Sequence, residues 1–169
     1  MLSLLLKLIK DRRSVREFTD QEISKDLIEE ILEVGRWAPS GLNNQPWKFL
    51  VVTKKEVLNE ISNYTKYQEI IKAAKLLIVV FLDKEASYHY LKDVQAVGAC
   101  LQNMLLFIHE LGLGACWLGE ILNQSKDLSK YLGISDHLEL MAILAIGYPV
   151  IRERISTRKE LKDLIIGWK

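Results

Sequence analysis

Two uninterrupted apolar runs, Leu76-Leu77-Ile78-Val79-Val80-Phe81-Leu82 and Leu140-Met141-Ala142-Ile143-Leu144-Ala145-Ile146, do most to limit how this chain can fold. A strand with one face in water shows a polar residue at every second position, so runs without that alternation predict central strands covered on both faces. Apolar helices must therefore lie above and below them. Leu27, Ile28, Ile31, Leu32, Val34 and Trp37 recur at helical spacing after Ser24-Lys25-Asp26, whose Ser and Asp are candidate N-caps. Pro39 closes that helix by disfavouring the helical conformation at Ala38. A long helix is predicted from about Leu91 to Leu111, and its Ala96, Gly98, Ala99 and Cys100 permit close approach of another helix, in the same chain or in a second copy.

Between these elements the run from Lys48 to Thr53, bounded by Pro46 and by Lys54-Lys55, reads as a strand. Short helical segments follow around Glu56–Asn63 and Tyr67–Ala74. Gly112 and Gly114 end the long helix and begin a short strand through Trp117, and a further helix covers Ser125 to Leu132. The order predicts an α/β (α+β) sandwich in one domain over residues 1–169, with a largely buried sheet flanked by helices.

Lys and Arg total 23 against 22 acidic residues, a net charge of +1, so the broad positive field that nucleic acids or anionic membranes attract is absent. No nucleic-acid or membrane partner is expected. The start, Met1 to Lys10, reads as an amphipathic helix rather than a signal peptide, because Lys7 and Lys10 break the apolar run and Asp11-Arg12-Arg13 stands where a cleavage site would be. Gln95, Gln102, Asn103, His109 and Glu110 make the long helix too polar to span lipid. Cys100 and Cys116 lie in apolar segments without CxxC spacing, which predicts buried thiols in a reducing, cytoplasmic compartment. His89, His109 and His137 stand alone in the chain, so no metal site is expected, and Ser40 lies in Pro-Ser-Gly rather than a nucleophile elbow. A Gly-x-Gly-x-x-Gly turn between strand and helix is also missing, so a nicotinamide nucleotide would bind only transiently.

Any positive site must therefore be local. Arg12-Arg13-Ser14-Val15-Arg16 gathers three guanidinium groups and a hydroxyl, and planar guanidinium forks suit a phosphate. Ala38-Pro39-Ser40-Gly41-Leu42-Asn43-Asn44-Gln45-Pro46-Trp47 combines stiff prolines, a glycine that lets a ligand approach, and amides that donate and accept. That set suits a heteroaromatic ring with polar edges.

The order of these two blocks, followed by Gly112-Leu113-Gly114-Ala115-Cys116-Trp117-Leu118-Gly119, by Ile146-Gly147-Tyr148-Pro149 and by Arg158, resembles the nitroreductase family of FMN-dependent enzymes. The resemblance runs over nearly the whole chain. It implies a three-layer nitroreductase-like sandwich with a mixed, mostly antiparallel sheet, and a homodimer with FMN at the subunit interface. By position it implies that Arg12, Ser14 and Arg16 hold the FMN phosphate and the polar edge of the ring, that Arg158 returns to the phosphate, and that Arg13 stands beside them. Pro39, Ser40 and Gly41 resemble the loop whose backbone touches the flavin from the partner subunit, with Asn43 and Gln45 as amides toward the ring or ribityl chain. Trp117 and Leu118 would line one face of the ring, and the backbone N–H groups of Gly119 and Glu120 would approach its N5 and O4.

The implied activity is NAD(P)H oxidation with ping-pong transfer to a nitroaromatic, quinone, flavin or other small electron-poor acceptor. Dehalogenation, dehydrogenation, flavin breakdown and a non-catalytic flavin module are the alternatives. No side chain is assigned as a catalytic acid or base, since the cofactor carries the chemistry. Three departures from the family pattern have consequences. Gly41 replaces a common serine and is expected to loosen its loop, Ser156 stands where a second basic residue often precedes the arginine, which predicts weaker FMN retention, and the chain ends at Lys169 with no long arm to wrap a partner.

Overall fold

The structure is a computed structural model that describes residues 3–150 and 155–169. In chain order these form α1 (Leu4–Asp11), α2 (Lys25–Arg36), β1 (Trp47–Val52), α3 (Lys55–Ser62), α4 (Gln68–Ala73), β2 (Leu76–Asp83), α5 (Tyr90–Glu110), β3 (Gly114–Leu118), α6 (Ser125–Tyr131) and β4 (Leu138–Gly147). The two apolar runs are β2 and most of β4, and they lie side by side at the centre of a sheet ordered β1-β2-β4-β3. All pairings between these strands are antiparallel. The parallel component of the expected mixed sheet is a single bridge from Ser14 to Ala115.

Successive strand residues point to opposite faces, so each central strand feeds two cores. Ile78, Val80 and Leu82 of β2, with Leu144 and Ile146 of β4, pack against Ile28 and Ile31 of α2 and against Val97, Leu101, Met104 and Ile108 of α5. Leu77, Val79 and Phe81, with Ile143 and Ala145, meet Leu58 and Ile61 of α3, Ile71 of α4 and Leu128 of α6. Three layers result. Ile143 is fully buried, so Ile143→Ala is expected to lower stability by about 2–5 kcal/mol through lost transfer energy and a residual cavity. Urea denaturation checks this as a lower midpoint with an unchanged slope.

Of the two candidate caps, Ser24 takes the role: its hydroxyl accepts from the N–H of Leu27 at 3.4 Å. Part of the small face of α5 is used within the chain: Ala96 and Cys100 are buried, whereas a Cβ at Gly98 would meet nothing within 4 Å. A Cβ at Gly35 of α2 would lie 2.2 Å from Met104 Cε and 3.2 Å from Cys100 Sγ, so a larger residue there would require Met104 to shift. Both cysteines are buried thiols, and burial pushes the Cys100 thiol up to about 12.

Among the described residues, exposed apolar side chains gather on two segments near the ends. On α1 the side chains of Leu4, Leu5 and Ile9 are exposed, although Ser3 caps the helix as an amphipathic segment should; Met1 and Leu2 of that segment lie outside the described residues. At the other end every residue from 155 to 169 is exposed, including Leu161, Leu164, Ile166 and Trp168. Residues 155–169 thus present their apolar side chains outward.

Candidate functional site

The basic block is held against the outer edge of the sheet. The N–H of Val15 donates to the Ala115 carbonyl at 2.9 Å, and that of Thr19 to the Tyr148 carbonyl at 2.8 Å. Glycines make this docking close: a Cβ at Gly114 would lie 2.6 Å from Val15 Cγ2, and one at Gly147 2.8 Å from Phe18 Cβ. The first, third and fourth sequence blocks therefore converge in space.

Arg12 is half-buried at the C-terminal end of α1. Burial pulls its pKa down, and the Arg158 and Arg13 guanidinium groups pull in the same direction. So Arg158, distant in sequence, lies near enough for its charge to act on Arg12. Among the described residues none of Arg12, Arg16 and Arg158 is in an ion pair. The Arg13 guanidinium donates to the carbonyl of Arg12 at 2.9 Å, and that of Arg158 to the Ser156 hydroxyl and to the Thr157 carbonyl. Ser156, in place of a second cation, thus orients the one that remains. Arg16 lies near Cys116, whose thiol pKa is raised by burial and lowered in part by that charge. Guanidinium groups brought close together repel one another, and an oxyanion relieves the repulsion.

β3 carries the third block, and its pleat separates two residues expected to act together. Trp117 is 41% exposed, while Leu118 is 3% exposed and packs in the core on the α3 side. Leu118 is therefore corrected: its side chain cannot line the same surface as Trp117, and only its backbone is available there. Gly119 is exposed, and a Cβ there would meet nothing within 4 Å, so the backbone is open to a ligand. The Glu120 carboxylate is occupied elsewhere. It accepts from the Thr65 hydroxyl and from the N–H of Lys66 at 3.2 Å. These bonds, Thr65 foremost, hold its pKa below the usual range, which leaves the backbone N–H as the group free to serve a ligand.

The second block forms a tight loop after α2. Leu42 and Asn43 have φ of 55° and Gln45 of 47°, left-handed values that are strained without glycine. Ser40 Oγ accepts from the N–H of Gln45 at 3.0 Å, and Gln45 Nε2 donates to the Asn43 carbonyl at 3.3 Å. Gly41 does not loosen this loop, as the sequence suggested. A Cβ there would lie 2.0 Å from Tyr88 Oη, so glycine is present because Tyr88 packs on it. Asn44, Tyr88 and Asp93 escaped sequence reasoning. Asn44 stands between two amides expected to meet the ligand and instead bonds inward, to Ala86 and Asp93.

The two halves of the expected site are far apart in one chain. Arg13 shares a surface cavity of about 430 Å³ with His109, Gly112 and Pro149, at the C-terminal end of α5. The loop is tied to Asp93 at the helix's N-terminal end. At 1.5 Å per residue, Asp93 and His109 are about 24 Å apart along the axis. A histidine group that chain spacing did not reveal lies elsewhere: ligand atoms of His137, Asp83 and Glu85 come within 4.8 Å of one another. Two of the three have partners, His137 Nδ1 with Ser135 Oγ at 2.7 Å and Asp83 with Lys48 at 3.5 Å. No helix among the described residues is long and apolar enough to cross a membrane.

A family model, the Nitroreductase family, matches residues 9–66 and 61–148. A protein of Archaeoglobus fulgidus with the provisional name NADH dehydrogenase/NAD(P)H nitroreductase is 37% identical over 147 residues, covering 85% of this chain and 84% of its own. The crystal structure of a provisionally named nitroreductase from Desulfovibrio desulfuricans in complex with FMN is similar over 100% of this chain and 99% of its own, with a TM-score of 0.95 and 42% identity. Iodotyrosine deiodinase of Thermotoga neapolitana is 28% identical, over 88% of this chain and 90% of that protein.

Proposed function

The chain belongs to the nitroreductase family of FMN-dependent oxidoreductases, and from that premise we propose that it oxidises NADH or NADPH and passes the electrons, by a ping-pong route, to a nitroaromatic, a quinone, a free flavin or another small electron-poor acceptor. One observation carries the reading: half-buried Arg12 has the Arg158 and Arg13 charges acting on it and, among the described residues, no ion-paired carboxylate. A phosphate monoester fits that donor set, and the open backbone at Gly119 beside half-exposed Trp117 fits a flat ring.

FMN, when bound, supplies hydride chemistry, while the protein supplies binding, orientation and electrostatics. Arg12 and Arg158 hold the phosphate, with Arg13 and Ser14 at its margin. Arg16 sets positive charge toward the polar edge of the ring. Trp117 presents an apolar surface, and the N–H groups of Gly119 and Glu120 donate toward the ring. Pro39, Ser40, Gly41, Asn43 and Gln45 come from a second copy, because their loop is tied to Asp93 while Arg13 shares a cavity with His109, about 24 Å further along α5. The exposed apolar faces of α1 and of residues 155–169 supply surface for that homodimer. The buried thiols suit the reducing cytoplasm.

Anaerobic mixing of the FMN-loaded protein with NADH or NADPH is expected to bleach the yellow absorbance, and a nitroaromatic or quinone to restore it. Colour that persists with both nucleotides overturns the reductase reading. A second reading, reductive dehalogenation, is favoured by the similarity to the Thermotoga deiodinase. Iodide release from iodotyrosine without turnover of nitroaromatics would put that reading first.

A further inference from the structure

We propose that Asp93 and Asn44 are a positioning pair that presets the loop from Ser40 to Gln45 for the cofactor, an inference that rests on the assignment of this loop to the FMN site. Asp93 is on the first turn of α5 and fully buried. Its Oδ2 accepts from Ser87 Oγ at 2.7 Å, from the N–H of Tyr88 at 3.1 Å and from that of His89 at 3.0 Å. Its Oδ1 accepts from Asn44 Nδ2 at 2.8 Å. The same Nδ2 donates to the Ala86 carbonyl at 3.0 Å, so both amide protons of Asn44 are used.

A buried carboxylate is tolerated only where donors replace water. Here burial opposes ionisation, and the bonds from Ser87, His89, Asn44 and Tyr88 overcome it, leaving the acid below its usual range. The surrounding groups are hydroxyl, amide and backbone donors, and Lys92, the adjacent cation on α5, lies over the Tyr88 ring at 5.3 Å.

The loop needs such a tie. Three of its residues hold left-handed φ without glycine, and such strained backbone persists only where the surroundings over-determine it. Asn44 is the residue between two of them, and its side chain bonds the loop to α5. Tyr88, whose ring covers Gly41, is held through its N–H by the same carboxylate. One group therefore fixes both the loop and its cover without reaching the ligand. Asn44 Oδ1 is buried with no hydrogen-bond partner among the described residues, so the amide serves this contact as a donor.

The test compares wild type, Asp93→Asn and Asn44→Asp as purified full chains, with far-UV circular dichroism as the check on folding. Asp93→Asn is expected to raise hydrogen exchange in apo protein at Asn43, Asn44 and Gln45 while β2 and β4 stay protected, and to weaken FMN binding about 10-fold, the equivalent of one charge-assisted hydrogen bond. Asn44→Asp sets two carboxylates together, one of which must keep a proton, so its FMN affinity relative to that of wild type at the same pH is expected to fall as pH rises, which removes the titration of the FMN phosphate common to both. Unchanged exchange in the loop, or an affinity ratio of Asn44→Asp to wild type that does not change with pH, overturns the positioning pair. Wild type that binds no FMN while the exchange prediction holds instead removes the assignment of the loop to the cofactor.

Discussion

Arg12→Gln is expected to bind FMN about 100-fold more weakly than wild type, while the apoprotein stays at least as stable. The first effect follows from removing a charge-assisted contact in a partly buried site, where one such bond contributes about 1.5–3 kcal/mol. The second follows from what surrounds the guanidinium. Burial and the charges of Arg158 and Arg13 all act against the Arg12 cation, so a neutral residue of similar length relieves the apo state. Ligand that binds only the folded form raises its stability in proportion to affinity. Wild type should therefore show a large FMN-dependent rise in Tm and the variant little, with the apo values close together or reversed. A variant that keeps wild-type FMN affinity would show that the phosphate lies elsewhere.

Deletion of residues 160–169 is expected to convert a dimer into monomers while leaving Arg158 in place. Leu161, Leu164, Ile166 and Trp168 are between 61% and 107% exposed. Burying an aliphatic side chain of this size contributes roughly 1.5–3 kcal/mol. Even after the ordering of an extended segment is subtracted, the dissociation constant of the dimer should rise by more than about 100-fold. Light scattering coupled to gel filtration reads the state directly. FMN affinity should fall along with it, since the shortened chain retains its guanidinium groups but loses the loop of the second copy. A deletion variant that remains dimeric at the same concentration would place the interface away from this segment.

Much of the fold could be read from the chain because its central strands are buried on both faces. Leu76 to Leu82 and Leu140 to Ile146 have no polar alternation, and both became the interior of the sheet. The boundaries of α2 were legible from Ser24 and from the residues before Pro39. β3 was harder. In a strand of five residues the facing of Trp117 and Leu118 is set by which neighbours lie above and below, so the pair looked alike until α3 was seen to claim Leu118. Asn43, Asn44 and Gln45 were likewise chemically alike in sequence, and only the distant Asp93 marks the middle one as structural. Gly41 was read as slack when it is the space taken by Tyr88. The apolar residues of 155–169 were not legible as a feature for a related reason, since they are too sparse to signal a helix or strand and stand out only by their exposure.

The length of α5 has a consequence for how this chain can vary. If each copy supplies a basic edge near His109 and a loop near Asp93, the helix between them is the ruler that brings one copy's edge to the other's loop. One inserted turn would displace those ends by about 5.4 Å, further than a hydrogen bond can stretch. Insertions and deletions should accordingly be tolerated in the connection after α6 and refused between residues 93 and 109, even where the added turn is an ideal helix former.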